Sequence, residues 1–286
     1  MLLEGLIKDI YSFSFNFLGF NINTSNFSGT IEGLTNFTTI QGSTLFGLAR
    51  GVWITIKPLG LSLLTLFFFI SLIKMVQDGV ERVSWERVVF KVAIFFLLKF
   101  LIDNSFDWLT TLGNVVQHDI FDKVKIAISN ARGFGGLSNS PIDIGDILVK
   151  NAKDAADSGI EKWFFYIVYI LLAIPYMGTL IMVLAQVFMR VVKMLMYMMF
   201  SPIPIALASE GDTYRGRAIS FFTGFAGVCF EASVIYIAST LYLKGLTGLG
   251  HLNAIPMVIA ILFLNGVLSA IINISSQVSD KIFGRS

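Results

Sequence analysis

Charged side chains are scarce in this sequence. They make up 14% of its 286 residues, against roughly 25% in a soluble domain. A chain so short of charge and 55% hydrophobic cannot cover itself with a water-facing shell, so its surplus apolar surface must face lipid. The mean hydropathy of +0.75 agrees. Cysteine is nearly absent: Cys229 stands alone, which excludes an internal disulfide, and its apolar setting makes the thiol inert by default. The two histidines, His118 and His251, fall in polar stretches without ligand partners at metal spacing and read as solvated loop residues. A net charge of +2 is too small to argue for nucleic-acid binding. No G-x-x-x-x-G-K-[ST] phosphate loop occurs, and no serine sits in G-x-S-x-G. The Gly-rich stretch RGFGGLSN has neither the preceding strand nor the spacing of a dinucleotide fingerprint. Nothing in the pattern calls for an enzyme, a metal or a cofactor.

What is present is a series of long apolar runs. The expected fold is all-α, a polytopic transmembrane helical bundle of about five spans. Bilayer crossing takes ~20 apolar residues, and runs of that kind cover 51–73, 88–110, 163–184, 218–243 and 254–276. The start, MLLEGLIKDIYSF, holds Glu4, Lys8 and Asp9 and has no basic first segment, so a cleaved signal peptide is not expected. Its apolar residues recur at helical spacing and predict a short amphipathic helix, lying on the membrane or packed on the protein. Residues 21–44 are rich in Asn, Thr, Ser and Gly and read as a loop. The N-x-[ST] matches at Asn23, Asn26 and Asn36 are expected from composition alone. The chain therefore divides into an N-terminal helix and polar segment over 1–50, two transmembrane helices over 51–110, an outer loop with short helices over 111–160, and the remaining spans over 161–286.

The stretch 185–208 has two readings. It is a sixth crossing, or the third helix runs on, breaks at Ser201, Pro202 and Pro204, and leaves a hairpin over 185–217 on the inner side. Charge decides between them, because basic residues favour the cytoplasmic side in short loops. Lys74, Arg82, Arg87 and Lys91, then Arg190, Lys193, Arg215 and Arg217, then Lys281 and Arg285 fall on one side only with five crossings. The N-terminus is then outside and the C-terminus inside a cytoplasmic membrane.

Charges inside spans are the candidate functional residues, since they are costly in lipid unless paired or hydrated. Glu231 lies near the middle of the fourth run. Lys99 and Asp103 stand four apart on the second, so they share a helix face and can pair. That leaves Glu231 in need of a partner, and Lys99 is the candidate; Lys57 lies nearer the outer surface, where it can snorkel. Gln186 and Asn265 read as packing residues. Ser220 with Gly224, and Thr223 with Gly227, form small-x-x-x-small pairs that let helix backbones approach. Met182, Met189 and Met196 recur every seven residues, a pattern read first as helix packing and second as a mobile surface.

The run MLMYMMFSPIPIALASEGDTYRGRAISFFTGFAGVCFEASVIYIAS joins a Met-rich helix, a Ser-Pro-Ile-Pro break, a short charged loop and a span with a central acid. It resembles the TrbL-like polytopic inner-membrane subunit of conjugative type IV secretion systems, the counterpart of the sixth VirB component. The earlier stretches IKPLGLSLLTLFFFISLIKM and SWERVVFKVAIFFLLKFLI are similar to versions on Gram-positive mobile elements. The resemblance implies a non-enzymatic channel or scaffold subunit. It also implies partners: other secretion-system membrane subunits, the ATPases, lipid, further copies of itself, and transferred single-stranded DNA with its relaxase as a transient contact. Ser201, Pro202 and Pro204 would mark the family's helix break, and Glu231 its intramembrane acid. The competing expectation is a small-solute or ion transporter with Glu231 as coupling carboxylate. Such transporters pair their broken helices, and the break at Pro202 has no evident counterpart in the first half. An intramembrane enzyme would need a nucleophile or metal set that is not visible.

Overall fold

The structure is a computed structural model that describes residues 2–18, 20–24, 27–77, 85–130, 144–154, 159–210, 212–249 and 254–282. His251, Asn26, Arg82, Arg285 and the RGFGGLSN stretch lie outside the described residues. Helices dominate, with one two-stranded hairpin as the exception. Four helices are long and apolar enough to cross a membrane, over Thr44–Gln77, Ile160–Phe200, Gly216–Leu246 and Ile255–Ser279. The protein is therefore a multi-pass helical bundle of membrane type.

An N-terminal head comes first. Helix α1 (Leu2–Tyr11) is followed by strands β1 (Ser14–Phe17) and β2 (Phe20–Asn23), antiparallel, and by α2 (Phe27–Thr35) and α3 (Phe37–Gln41). Residues 21–23 and 27–41 thus form a strand and two helices, contrary to the loop expected there. Phe27, Ile31, Leu34, Phe37 and Ile40 recur at helical spacing and are all buried. That apolar stripe outweighs the polar average of the segment. Asn36 caps α3 by accepting from the Thr38 backbone N–H at 2.9 Å, the role that favours Asn at such a position.

Then come α4 (Thr44–Gln77), α5 (Trp85–Asp103) and α6 (Ser105–Val116), a π-turn at Gln117–Phe121, α7 (Asp122–Asn130) and α8 (Ile144–Asp154). The expected second span, 88–110, is not one helix: it is interrupted at Asn104, between α5 and α6. With Glu86, Arg87, Lys91, Lys99 and Asp103 in its sequence, α5 falls outside the four clearly apolar helices. The remaining elements are α9 (Gly159–Phe200), α10 (Pro202–Leu207), a 3₁₀ turn at Ala208–Glu210, α11 (Asp212–Gly248) and α12 (Ala254–Ile282). Of the second reading of 185–208, the continued helix and its break at Ser201 are present. Helix α9 runs unbroken for 42 residues, about 63 Å at 1.5 Å per residue, and stops where Pro202 enters.

Contacts fix the directions. Lys57 meets Asp103 and Trp53 meets Ser105, so α5 and α6 run antiparallel to α4. Arg190 meets Val228 and Tyr197 meets Phe221, so α11 returns along α9. Ser279 meets Gly227 and Tyr242 meets Asn265, so α12 reverses again. Past the break, α10 follows α4 in parallel, with Pro202 against Gly60 and Ile205 and Ala206 packed near Leu64. The basic residues Lys74, Arg87, Lys91 and Arg217 consequently gather toward one end, toward which α12 also points with Lys281. The head and α8 lie toward the other. The hydrophobic interior divides in the same sense. One large core joins the head, α9, α11 and α12, and a smaller one joins the second half of α4 with α5 and α10.

The amphipathic α1 packs on the protein, as one of its two readings had it. Ile7 and Tyr11 are buried. Lys8 pairs with Asp146 at 2.5 Å, and Lys153 with Glu4 at 3.1 Å. Glu4 also accepts from the Tyr166 hydroxyl at 3.0 Å. The Lys153 hydrogen bond, aided by Tyr166, holds the Glu4 carboxyl below its usual range. Burial pushes the Tyr11 hydroxyl upward, and that group donates to the Tyr169 carbonyl at 3.0 Å.

Candidate functional site

Two polar joints lie inside the apolar bundle. The first binds α9, α11 and α12 at Glu231. This carboxylate is 8% exposed and accepts from the Ser275 hydroxyl at 3.1 Å. Its cationic neighbour is Arg190 of α9, 3% exposed and close enough to interact electrostatically. The guanidinium reaches across to α11. Its Nε donates to the Val228 carbonyl at 2.8 Å and its Nη2 to that of Cys229 at 3.4 Å, while Nη1 has no partner among the described residues. One turn earlier on α9, Gln186 bonds Asn273 of α12. One turn further along α12, the Ser279 hydroxyl donates to the Gly227 carbonyl at 2.6 Å.

The expected partnership of Glu231 with Lys99 does not form. Lys99 points outward from α5 among exposed Phe96, Leu97 and Phe100, so it reaches neither Glu231 nor, as expected from spacing, Asp103. The carboxylate of Asp103 is held instead by Lys57, at 2.9 Å. Lys57 lies over the Trp53 ring at 5.3 Å and also donates to the Asp103 carbonyl at 3.4 Å. It does not snorkel; it closes the free C-terminal end of α5, where carbonyls lack helical partners and a cation is favoured.

That pair belongs to the second joint, where two helices are interrupted beside a third that carries a proline. Pro58 lies within α4, Asn104 separates α5 from α6, and Ser201 separates α9 from α10. The indole N–H of Trp53 donates to the Ser105 hydroxyl at 2.9 Å, and the Ser201 hydroxyl donates to the same oxygen at 2.8 Å. Gly60 makes room for this crossing: an added Cβ would lie 2.6 Å from Pro202 Cβ and 3.0 Å from its carbonyl oxygen. The break at Pro202 therefore has a first-half counterpart after all, at Asn104. The short sequence Asp-Asn-Ser inside an apolar run was the available signal. Arg190 was equally visible, as the one cation in an apolar run whose depth matches Glu231 across antiparallel helices.

Of the small-x-x-x-small residues, Gly224 and Gly227 are buried, and α12 approaches at Gly227. Ser220 is exposed, and Thr223 donates back to the Ser220 carbonyl at 3.1 Å. Met182, Met189 and Met196 all face outward, whereas Met194 and Met198 are buried. Asn265 accepts from Tyr242 at 2.8 Å. His118 stands exposed, 3.0 Å from Asp122. Among the described residues, no three His, Cys, Asp or Glu side chains converge as a metal site. Both joints are packed side-chain contacts between helices, suited to holding helix register. Compared with family models, curated proteins and solved structures, the chain matches none.

Proposed function

We propose that this protein is a membrane subunit of a conjugative type IV secretion system, contributing non-enzymatically to the passage for DNA and attached protein. The chain is read with five crossings, N-terminus outside and C-terminus cytoplasmic, α5 and α6 together making the second. The observation that carries the reading is where the intramembrane charges go. Arg190, Glu231, Lys57 and Asp103 are spent on joints between helices of one chain, whereas broad apolar faces of α5, α9 and α12 have no partner among the described residues. A subunit of that kind offers its outer faces to lipid, to further copies and to other membrane subunits. A passage would then form between chains. The secretion ATPases and the coupling protein would act at the end where the basic residues gather.

One observation favours the second reading, a small-solute or ion transporter. Discontinuous helices facing one another are where such proteins place their sites, and Asn104 and Ser201 interrupt helices side by side. A mating assay separates the two. Deleting the gene in the donor is expected to abolish transconjugants at unchanged growth, with recovery on complementation in trans. Undiminished transfer would overturn the secretion reading, and solute uptake into vesicles containing the purified protein would then test the transporter.

A further inference from the structure

The end of the molecule that gathers basic residues holds a pocket that neither joint uses. It opens between α4, α5 and the 3₁₀ turn after α10, with a volume of about 80 Å³. That is the space of two to three waters at roughly 30 Å³ each, enough for the oxygens of one phosphate group. Phe68 of α4 and Phe95 of α5, with ring centroids 4.7 Å apart, form an apolar wall. Ser71 and Lys91 supply the polar part of the lining.

These two side chains are uncommitted. Three other hydroxyls of α4 turn back to their own helix, Thr55 to Gly51, Ser62 to Pro58 and Thr65 to Leu61, and Thr44 donates to the Leu18 carbonyl. Ser209, also in the lining, donates to the Ala206 carbonyl at 2.8 Å. Ser71 and Lys91 make no hydrogen bond or ion pair among the described residues. Lys91 is half-buried, nearly two turns into an apolar helix, a costly place for a cation with no anion beside it. The acids of α5 do not serve: Glu86 is exposed near the helix start, and Asp103 is held by Lys57 at the other end. Among the described side chains no acid meets Lys91, which leaves the place open to an anion from outside the chain. Exposed Lys74 and Arg87 add positive potential at the same end, as at membrane surfaces that attract anionic lipid. A free phosphate would meet the charge but gain nothing from the aromatic wall. A phospholipid meets both.

We propose that this pocket binds the headgroup phosphate of an anionic phospholipid, with Lys91 and Ser71 donating to its oxygens and an acyl chain lying along Phe68 and Phe95. The bound lipid would tie α4 and α5 to the 3₁₀ turn. This requires only that the chain sits in a membrane, and stands apart from any role in secretion.

The test is native mass spectrometry of the full chain, extracted in mild detergent and equilibrated with vesicles of phosphatidylglycerol and phosphatidylcholine. The wild type is expected to retain one phosphatidylglycerol. Lys91→Gln should lower its occupancy roughly fivefold to tenfold, as loss of one lipid-facing charge does. Ser71→Ala should lower it less, and Lys91→Arg and Lys74→Gln should keep it. Should Lys91→Gln fail to fold, the contrast between Ser71→Ala and Lys91→Arg still decides. Equal retention by Lys91→Gln and wild type would overturn the proposal. So would equal loss from Lys74→Gln, equal retention of phosphatidylcholine, or displacement of the lipid by inorganic phosphate.

Discussion

The Arg190 side chain shows how a single residue can hold two helices in register. A guanidinium 3% exposed inside an apolar bundle is tolerable only while its charge and donors are met. Two carbonyls of α11 accept from it and Glu231 lies nearby, beyond ion-pair distance, while Nη1 stays unmatched among the described residues. Replacing Arg190 with Leu removes the bonds and also leaves Glu231 buried with Ser275 alone. Breaking a close buried ion pair on one side costs about 3–5 kcal/mol, and this wider pair should cost less. Removing both charges should cost much less, since no buried ion is stranded. The expected order of unfolding temperature in detergent is therefore wild type, then Arg190→Leu with Glu231→Leu, then Arg190→Leu. If the double variant melts at or below the single one, Glu231 is not what Arg190 compensates. The bonds to Val228 and Cys229 would then carry its role.

At the scale of helices, hydropathy was enough to find four of the five expected membrane segments, because burial in lipid depends mainly on summed apolar area. It could not find the interruption at Asn104, because three polar residues barely alter the average of a 23-residue window. Lys57 supplies the missing reason from another helix, by meeting the α5 terminus. The side-chain pairings inside the bundle were hidden in the same way. Spacing along one helix suggested Lys99 with Asp103, but that face of α5 turns Lys99 outward. Partner choice depends on helix rotation, which the sequence of one helix does not specify. The head was legible in principle, since Phe27, Ile31 and Leu34 keep helical spacing, but its polar composition masked them. The crossing of α10 over α4 gives a direct test. Gly60→Ala would gain up to about 1 kcal/mol of helix propensity. It would also drive a methyl into Pro202 Cβ and the Pro202 backbone, which cannot swing aside, and overpacking costs about 1–3 kcal/mol. Net destabilisation is expected for Gly60→Ala and none for Gly178→Ala, where the added methyl meets nothing within 4 Å. Equal melting temperatures for the two variants would mean that α10 does not press on α4 at this point.

For the molecule as a whole, the directions of the helices turn the question of sidedness into one of parity. Following the contacts, α4, α9 and α12 run one way, and α5 with α6, and α11, run the other. If the α5–α6 pair crosses the bilayer, Lys74 at the end of α4 and Lys281 at the end of α12 share a side, with the head opposite. If it does not cross, one of the four apolar helices must enter the membrane against the direction its contacts give it. Charge favours the first arrangement, since Lys74, Arg87, Lys91, Arg217 and Lys281 then all face the cytoplasm. The check starts from a Cys229→Ser background, so that an introduced cysteine is the sole thiol. Lys123 on α7 and Lys74 on α4 are both exposed and suit replacement by cysteine. A membrane-impermeant maleimide added to intact cells should label the variant at 123 and leave that at 74 unlabelled until the cells are opened. Labelling of both from outside would mean that the end of α4 does not reach the cytoplasm. Labelling of 74 alone would invert the protein, and would count against the proposed secretion role, which puts the ATPases at the basic end.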